Sequence, residues 1–375
     1  MSVKAVSLPP LLATHLRKHP VRELLFSSLV LLALLLGVVT AARVQSLPAA
    51  MLLSTALGLL SVQMVLILHD CMHASLFHQN AAHTWLGRII GAYFFSPYSF
   101  LRMSHLEHHR AAGLVEGDPE VLDFTEAHAA RSPARSKLAS VARSPFAALI
   151  FAPGVQAVHF FEWLSAEKRG ESRAGLLRAT ALDLLCMAAL WIPICLWAQA
   201  HGALLRVLLI ALLAPFLIGL TLTTLATLPL HTLTAGYRLD ALPMRDRSFF
   251  VARTIDSNPI VRGLFFNLSY HLEHHLYPSV SRWALGPLAR ELRPTLLAES
   301  EAARLPMLIH PGYLRWYIEH MGRRERFNPA LDRESFIHAN RRFRGVLLRD
   351  EDPHPAAHES VAPAAPRMSA SAHDG

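Results

Sequence analysis

Histidine is the residue type here whose number and spacing suggest chemistry. The chain carries 22 histidines. Eight of them stand in three short clusters: His69-Asp70-Cys71-Met72-His73, His105-Leu106-Glu107-His108-His109 and His271-Leu272-Glu273-His274-His275. A ninth, His231, closes a long apolar run. The spacings are i, i+4 and i, i+3, i+4, so on a helix the imidazoles of each cluster share one face. Histidine is the commonest metal ligand, and imidazole suits iron, zinc, copper and nickel. Three such clusters in one apolar chain predict bound metal. Thiolates are poor candidates beside so many imidazoles. Cys71, Cys186 and Cys195 form no CxxC pair and no disulfide framework, which fits a reducing compartment. His78, His83, His128, His159 and His201 lack the spacing and are read as surface or packing residues.

The elements that position these clusters follow from composition. Of 375 residues, 17% are charged, against about a quarter in a soluble globular protein. The mean hydropathy is +0.30. The deficit of charge is confined to a few long runs, as in a membrane protein. Four runs are long enough to cross a hydrocarbon core of roughly 30 Å: about 24–42, 48–68, 179–200 and 207–230. Short links join the first to the second and the third to the fourth, so the expectation is an all-α integral membrane protein of two helical hairpins. The first run exceeds a signal-peptide core and is read as a retained anchor. Residues 86–100 and 145–163 are apolar but interrupted by charge or proline, and are read as interfacial or re-entrant. Asp183 is placed at the interface. The net charge of +8 gathers beside the spans and in the C-terminal third, where anionic lipid is the simpler partner. No zinc-finger or RNA-motif spacing supports a nucleic-acid partner.

Lys and Arg are concentrated before the first run and between residues 69 and 175, while Arg43 and Arg206 flank the two turns. The positive-inside rule then puts both termini and the central stretch in the cytoplasm. Counting crossings brings all nine clustered histidines to that one face. The expected organisation is a cytoplasmic leader at 1–23, one membrane domain at 24–345 with a cytoplasmic cap of helices, and a disordered tail at 346–375 holding His354, His358 and His373. The expected location is a bacterial inner (cytoplasmic) membrane.

HxxxH, HxxHH and HxxHH, in that order and separated by two apolar hairpins, resemble the boxes of the membrane fatty acid desaturases. The likeness extends to Asp70, to Gly117-Asp118-Pro119-Glu120, to Leu230-His231-Thr232, to Ser257-Asn258-Pro259 and to Asn267-Leu268-Ser269-Tyr270 before the last box. It covers roughly residues 25–295. The resemblance implies two iron ions held by His69, His73, His105, His108, His109, His231, His271, His274 and His275. Some family members add an asparagine one turn before the extra histidine. Thr227 occupies that position here, which leaves a water, Asn267 or nothing in the asparagine's place.

The implied reaction is O2-dependent insertion of a double bond into an acyl chain. No side-chain acid or base removes hydrogen from an unactivated methylene, so a redox cofactor is needed. Substrate held extended in a narrow apolar tunnel fixes which carbon reacts. Asp70, Glu107, Asp118 and Glu273 are candidates to accept hydrogen bonds from ligand imidazoles, and Asn267, four residues before His271, joins them on helix spacing. The substrate would be an acyl lipid or acyl thioester. With no GxGxxG or CxxC, electrons must come from a separate donor of ferredoxin or cytochrome b5 type. His310-Pro311-Gly312-Tyr313 does not make a fused cytochrome b5. Competing readings are a carotenoid ketolase or hydroxylase, a lipid or alkane hydroxylase, and a non-redox zinc hydrolase or metal transporter. The absence of HExxH argues against the common zinc protease motif.

Overall fold

The computed structural model describes residues 16–112, 173–231, 248–249, 251–301 and 309–316. Asp118, residues 145–163 and the tail at 346–375 lie outside the described residues.

Helix α1 (Pro20–Ala41) begins on a proline, whose fixed φ and missing N–H suit a first helical turn. Five residues link it to α2 (Leu47–Met72). At 1.5 Å per residue the 26 residues of α2 extend roughly 39 Å, longer than a hydrocarbon core. Helices α3 (Asn80–Tyr93) and α4 (Tyr98–Ala111) follow, with 14 residues each. The long α5 (Arg173–Ala200) and α6 (Leu204–Thr227) come next, and a 3-10 turn (Leu228–Leu230) leads to His231. Beyond residue 250 lie α7 (Pro259–Leu264), α8 (His271–Leu276) and α9 (Arg282–Glu301). Strands β1 (Thr254–Ile255) and β2 (Ile309–His310) pair in parallel, a small exception to the all-α expectation.

Helices α1, α2, α5 and α6 are long and apolar enough to cross a membrane. They match the four expected runs, with shifted ends. Helix α2 continues to Met72 because nothing in the sequence breaks it at residue 68. On α1, Leu24, Leu25, Leu29, Leu32 and Leu36 are exposed, as are Leu184, Leu185, Ile192 and Leu196 on α5. Exposed apolar area of this extent suits lipid.

Helix α2 is the central element, packed against α1, α3, α4 and α6. Leu34, Val38, Leu57, Met64, Ile67 and Ile90 form part of the core among these helices. Helices α2 and α6 approach closely. A Cβ built on Gly58 would stand 2.5 Å from Ile218 Cγ2, and one on Gly219 would stand 2.9 Å from Ser61 Cβ. Pro215 has no N–H to give the Ala211 carbonyl, its helical partner four residues back. The Tyr93 hydroxyl donates to that carbonyl instead, at 3.3 Å. Just before the proline the helix widens into a π-helical turn (Val207–Leu213), a common way of absorbing such a mismatch. Ser54 Oγ donates to the Ile210 carbonyl in the same stretch, at 2.9 Å.

Residues 86–100 do not form one element. The chain breaks between α3 and α4, with Phe95 at φ +53°, and neither helix is long enough to span. Both pack against α2 and α5. Asp183 is buried, its carboxylate accepting from Arg88 Nε at 2.9 Å and from the Ser99 backbone N–H at 2.7 Å. This pair ties α5 to the α3–α4 segment that carries the second box. His83 has the packing role expected of it. Its Nε2 accepts from the N–H groups of Leu76 and Phe77 at 3.0 and 2.9 Å. Lys18 Nζ donates to the carbonyls of Ala74 and Phe77, both at 2.8 Å. Together they pin the turn that follows the first box.

Candidate metal centre

Four short pieces of chain bring the nine histidines together. His69 lies in the last turn of α2, and His73 caps that helix. His105, His108 and His109 are buried on α4. His271, His274 and His275 are buried on α8. His231 follows the 3-10 turn in extended conformation. An extended segment sets the last two pieces side by side. His231 bridges to Ala252, and Thr254 bridges to Tyr270, the residue before the third box. The Arg253 N–H donates to the Leu230 carbonyl at 2.9 Å, and the Ile255 N–H to the Ser269 carbonyl at 2.8 Å.

The imidazoles fall into two neighbouring groups. His69, His73, His105, His109 and His274 present ring nitrogens within 4.8 Å of one another, and so do His108, His231 and His275. His271 joins the second group, its Nε2 2.8 Å from that of His231 and 3.1 Å from that of His275. In the first group the Nε2 atoms of His73 and His105 are 2.9 Å apart, and those of His109 and His274 3.2 Å. The rings of His109 and His275 stack at 4.2 Å between centroids, joining the two groups.

These distances suit shared ions. Two nitrogens about 2.1 Å from one ion, at right angles, stand about 3.0 Å apart. His69 Nε2 is buried with no hydrogen-bond partner, an arrangement that costs stability unless a metal or water satisfies it. Burial holds the pKa values of His73, His109, His271, His274 and His275 below the usual histidine value, and the neighbouring imidazoles push the same way. The rings are therefore neutral at pH 7, with lone pairs available to a cation.

The surrounding carboxylates mostly hold the frame. Asp70 Oδ2 accepts from Arg282 Nη1 at 2.6 Å. Its Oδ1 is 3.9 Å from His69 Nδ1, too far for a hydrogen bond. Glu107 pairs with Arg110, one turn further along α4. Glu273 is buried and accepts from the Thr254 hydroxyl. Burial pushes its carboxyl up to about 7. Asn267 sits in a left-handed turn at φ +62° and donates through Nδ2 to the Arg282 carbonyl at 2.9 Å. Thr227, at the end of α6, donates to the Thr224 carbonyl at 3.4 Å. Sequence reasoning missed Arg282, Glu23 and the Thr254–Glu273 contact. Glu23, an acid at the start of an apolar run, was the available signal.

A buried imidazole cluster beside four helices long and apolar enough to cross a membrane defines the class: a histidine-rich protein with candidate membrane spans. Residues 46–308 match the fatty acid desaturase family, and the chain belongs to it. Two curated proteins similar to it are both named omega-3 fatty acid desaturase, endoplasmic reticulum. That of Nicotiana tabacum is 25% identical over 243 residues, 61% of this chain and 60% of that protein. That of Vigna radiata var. radiata is 23% identical over 247 residues, with the same two shares. The chain thus spans about 60% of the length of these relatives. Named for the endoplasmic reticulum, they lend no support to a bacterial inner membrane.

Proposed function

We propose that this protein is an O2-dependent acyl desaturase with a nine-histidine di-iron centre. The observation that carries the reading is the convergence of all nine imidazoles into two adjacent groups, in a chain of this family. His69, His73, His105, His109 and His274 would hold one iron. His108, His231, His271 and His275 would hold the other.

Bound iron would supply the oxidising power that no protein acid or base has. Overall, a –CH2–CH2– unit, O2, two electrons and two protons give –CH=CH– and two waters. The electrons come from a separate ferredoxin or cytochrome b5-type donor. The protein's part is positional. Neutral imidazoles leave the positive charge of the ions largely intact, and their burial limits water at the site. The substrate is an acyl lipid or acyl thioester. In this proposal α1–α2 and α5–α6 are hairpins, residues 24–345 form one domain, and the centre faces the cytoplasm.

Expression in a host with a compatible donor, followed by lipid analysis, tests the reaction. New double bonds in acyl chains are expected, and His108→Ala or His274→Ala should abolish them while the protein stays membrane-inserted. Hydroxylated lipids or oxygenated carotenoids without new double bonds would replace desaturation with hydroxylation or ketolation.

A further inference from the structure

A second polar cluster lies buried beside the first box. Arg282, at the start of α9, is 3% exposed. Its Nη1 donates to Asp70 Oδ2 and its Nη2 to Glu23 Oε2, both at 2.6 Å. Glu23 is 1% exposed and Asp70 5%. The guanidinium lies over Phe266, Trp283 and Phe26, at 4.7, 5.4 and 5.7 Å from their ring centroids. Arg22 stands 3.7 Å from the other Glu23 oxygen and brings the cluster near charge balance. One forked cation thus fastens three parts of the chain: α1 through Glu23, α2 through Asp70, and the segment after the third box.

We infer that Arg282 is a positioning residue for the metal centre, and that Glu23 and Asp70 anchor it. This rests on the di-iron reading above. Asp70 adjoins His69 in sequence, and its second oxygen faces His69 Nδ1 at 3.9 Å. At that distance it makes no hydrogen bond, but its negative charge on that side favours the proton on Nδ1, so that Nε2 presents its lone pair. Nε2 is the atom found buried and unpartnered. Arg282 holds the carboxylate there. It also follows His275 by seven residues, so the same side chain ties the third box to the first. Asn267, before that box, secures the Arg282 backbone through its amide. The family match begins at residue 46, so Glu23 brings α1, outside the match, into support of the centre. A fork that bonds two carboxylates at once is a task for arginine and not for lysine.

The test compares the full-length protein in detergent with Arg282→Gln, Asp70→Asn and the charge-neutral triple Glu23→Gln/Asp70→Asn/Arg282→Met. The readouts are iron per chain, the rate of iron loss to a chelator, and the thermal midpoint. Arg282→Gln should lose iron faster, by up to about 10–100-fold, the penalty for removing a direct partner of a ligand being the upper bound. The triple should regain thermal stability, since it strands no buried charge, yet still release iron fast. Asp70→Asn keeps an oxygen for Arg282, so it preserves the fold if the others unfold, and it should also release iron faster. Wild-type iron retention in the folded triple, or in Asp70→Asn, would overturn the inference and leave the cluster a folding clamp. A wild-type protein that binds no iron would instead overturn the di-iron reading, and this inference with it.

Discussion

The α2–α6 contact offers a test of how tightly packing controls the centre. An alanine at Gly58 puts its Cβ 2.5 Å from Ile218 Cγ2, 2.7 Å from Ile218 Cβ and 3.4 Å from the Pro215 carbonyl. Carbon atoms at rest stand about 3.5–4.0 Å apart, so the shortfall is about 1 Å. Ile218 Cβ is fixed to the backbone and cannot rotate away. The helices must therefore part by about 1 Å, an overpacking cost of about 1–3 kcal/mol. Helix α2 carries His69 and His73, and α6 leads to His231. A 1 Å error in a reactive constellation can cost about 100-fold in rate. Gly58→Ala should lower product formed per inserted protein by roughly that factor. Ile218→Gly in the same chain, which removes that Cβ as well as Cγ2, should recover part of it by making room. Gly263→Ala is the control, because no atom lies within 4 Å of its built Cβ. Wild-type turnover and iron content in Gly58→Ala would refute the argument.

Other outcomes follow from single contacts. Asp183→Ala leaves Arg88, 12% exposed in its side chain, without its carboxylate, and should cost about 3–5 kcal/mol; adding Arg88→Met should restore the thermal midpoint. Arg293 beside Asp256 holds that carboxyl below the usual range. The pair therefore stabilises the protein above the unfolded value of about 3.9, and this contribution is lost as pH falls through the lowered folded value. The pair is partly exposed, so the effect should stay below about 1 kcal/mol. Asp256→Asn should lower stability at pH 7 by that amount, below about 1 kcal/mol, and leave it unchanged in acid, so that stability against pH is flatter on the acid side.

Much of this architecture was legible in the sequence because its signals are local. Uncharged apolar runs mark the long helices, and i, i+4 histidines mark a helix face. The contacts that escaped are those between distant residues. Glu23 ends the leader at 1–23, and nothing near it in sequence points to Arg282, 259 residues away. Asp183 gives no sign in sequence of Arg88 and Ser99, which close over it. The carboxylates inside the boxes suggested bonds to imidazoles, but Glu273 turns to Thr254 and Glu107 to Arg110. Spacing along one helix tells which face a residue shares, not which partner waits there. The break at residues 94–97 was visible as Pro97, and the two packed helices around it depend on tertiary contacts with α2 and α5.

Metal analysis of the purified full-length protein is the most direct test of the nine-histidine centre. The account predicts two irons per chain, with His274→Ala weakening the five-histidine site and His108→Ala the other. A single zinc with no iron, or iron content unchanged in both variants, would contradict it.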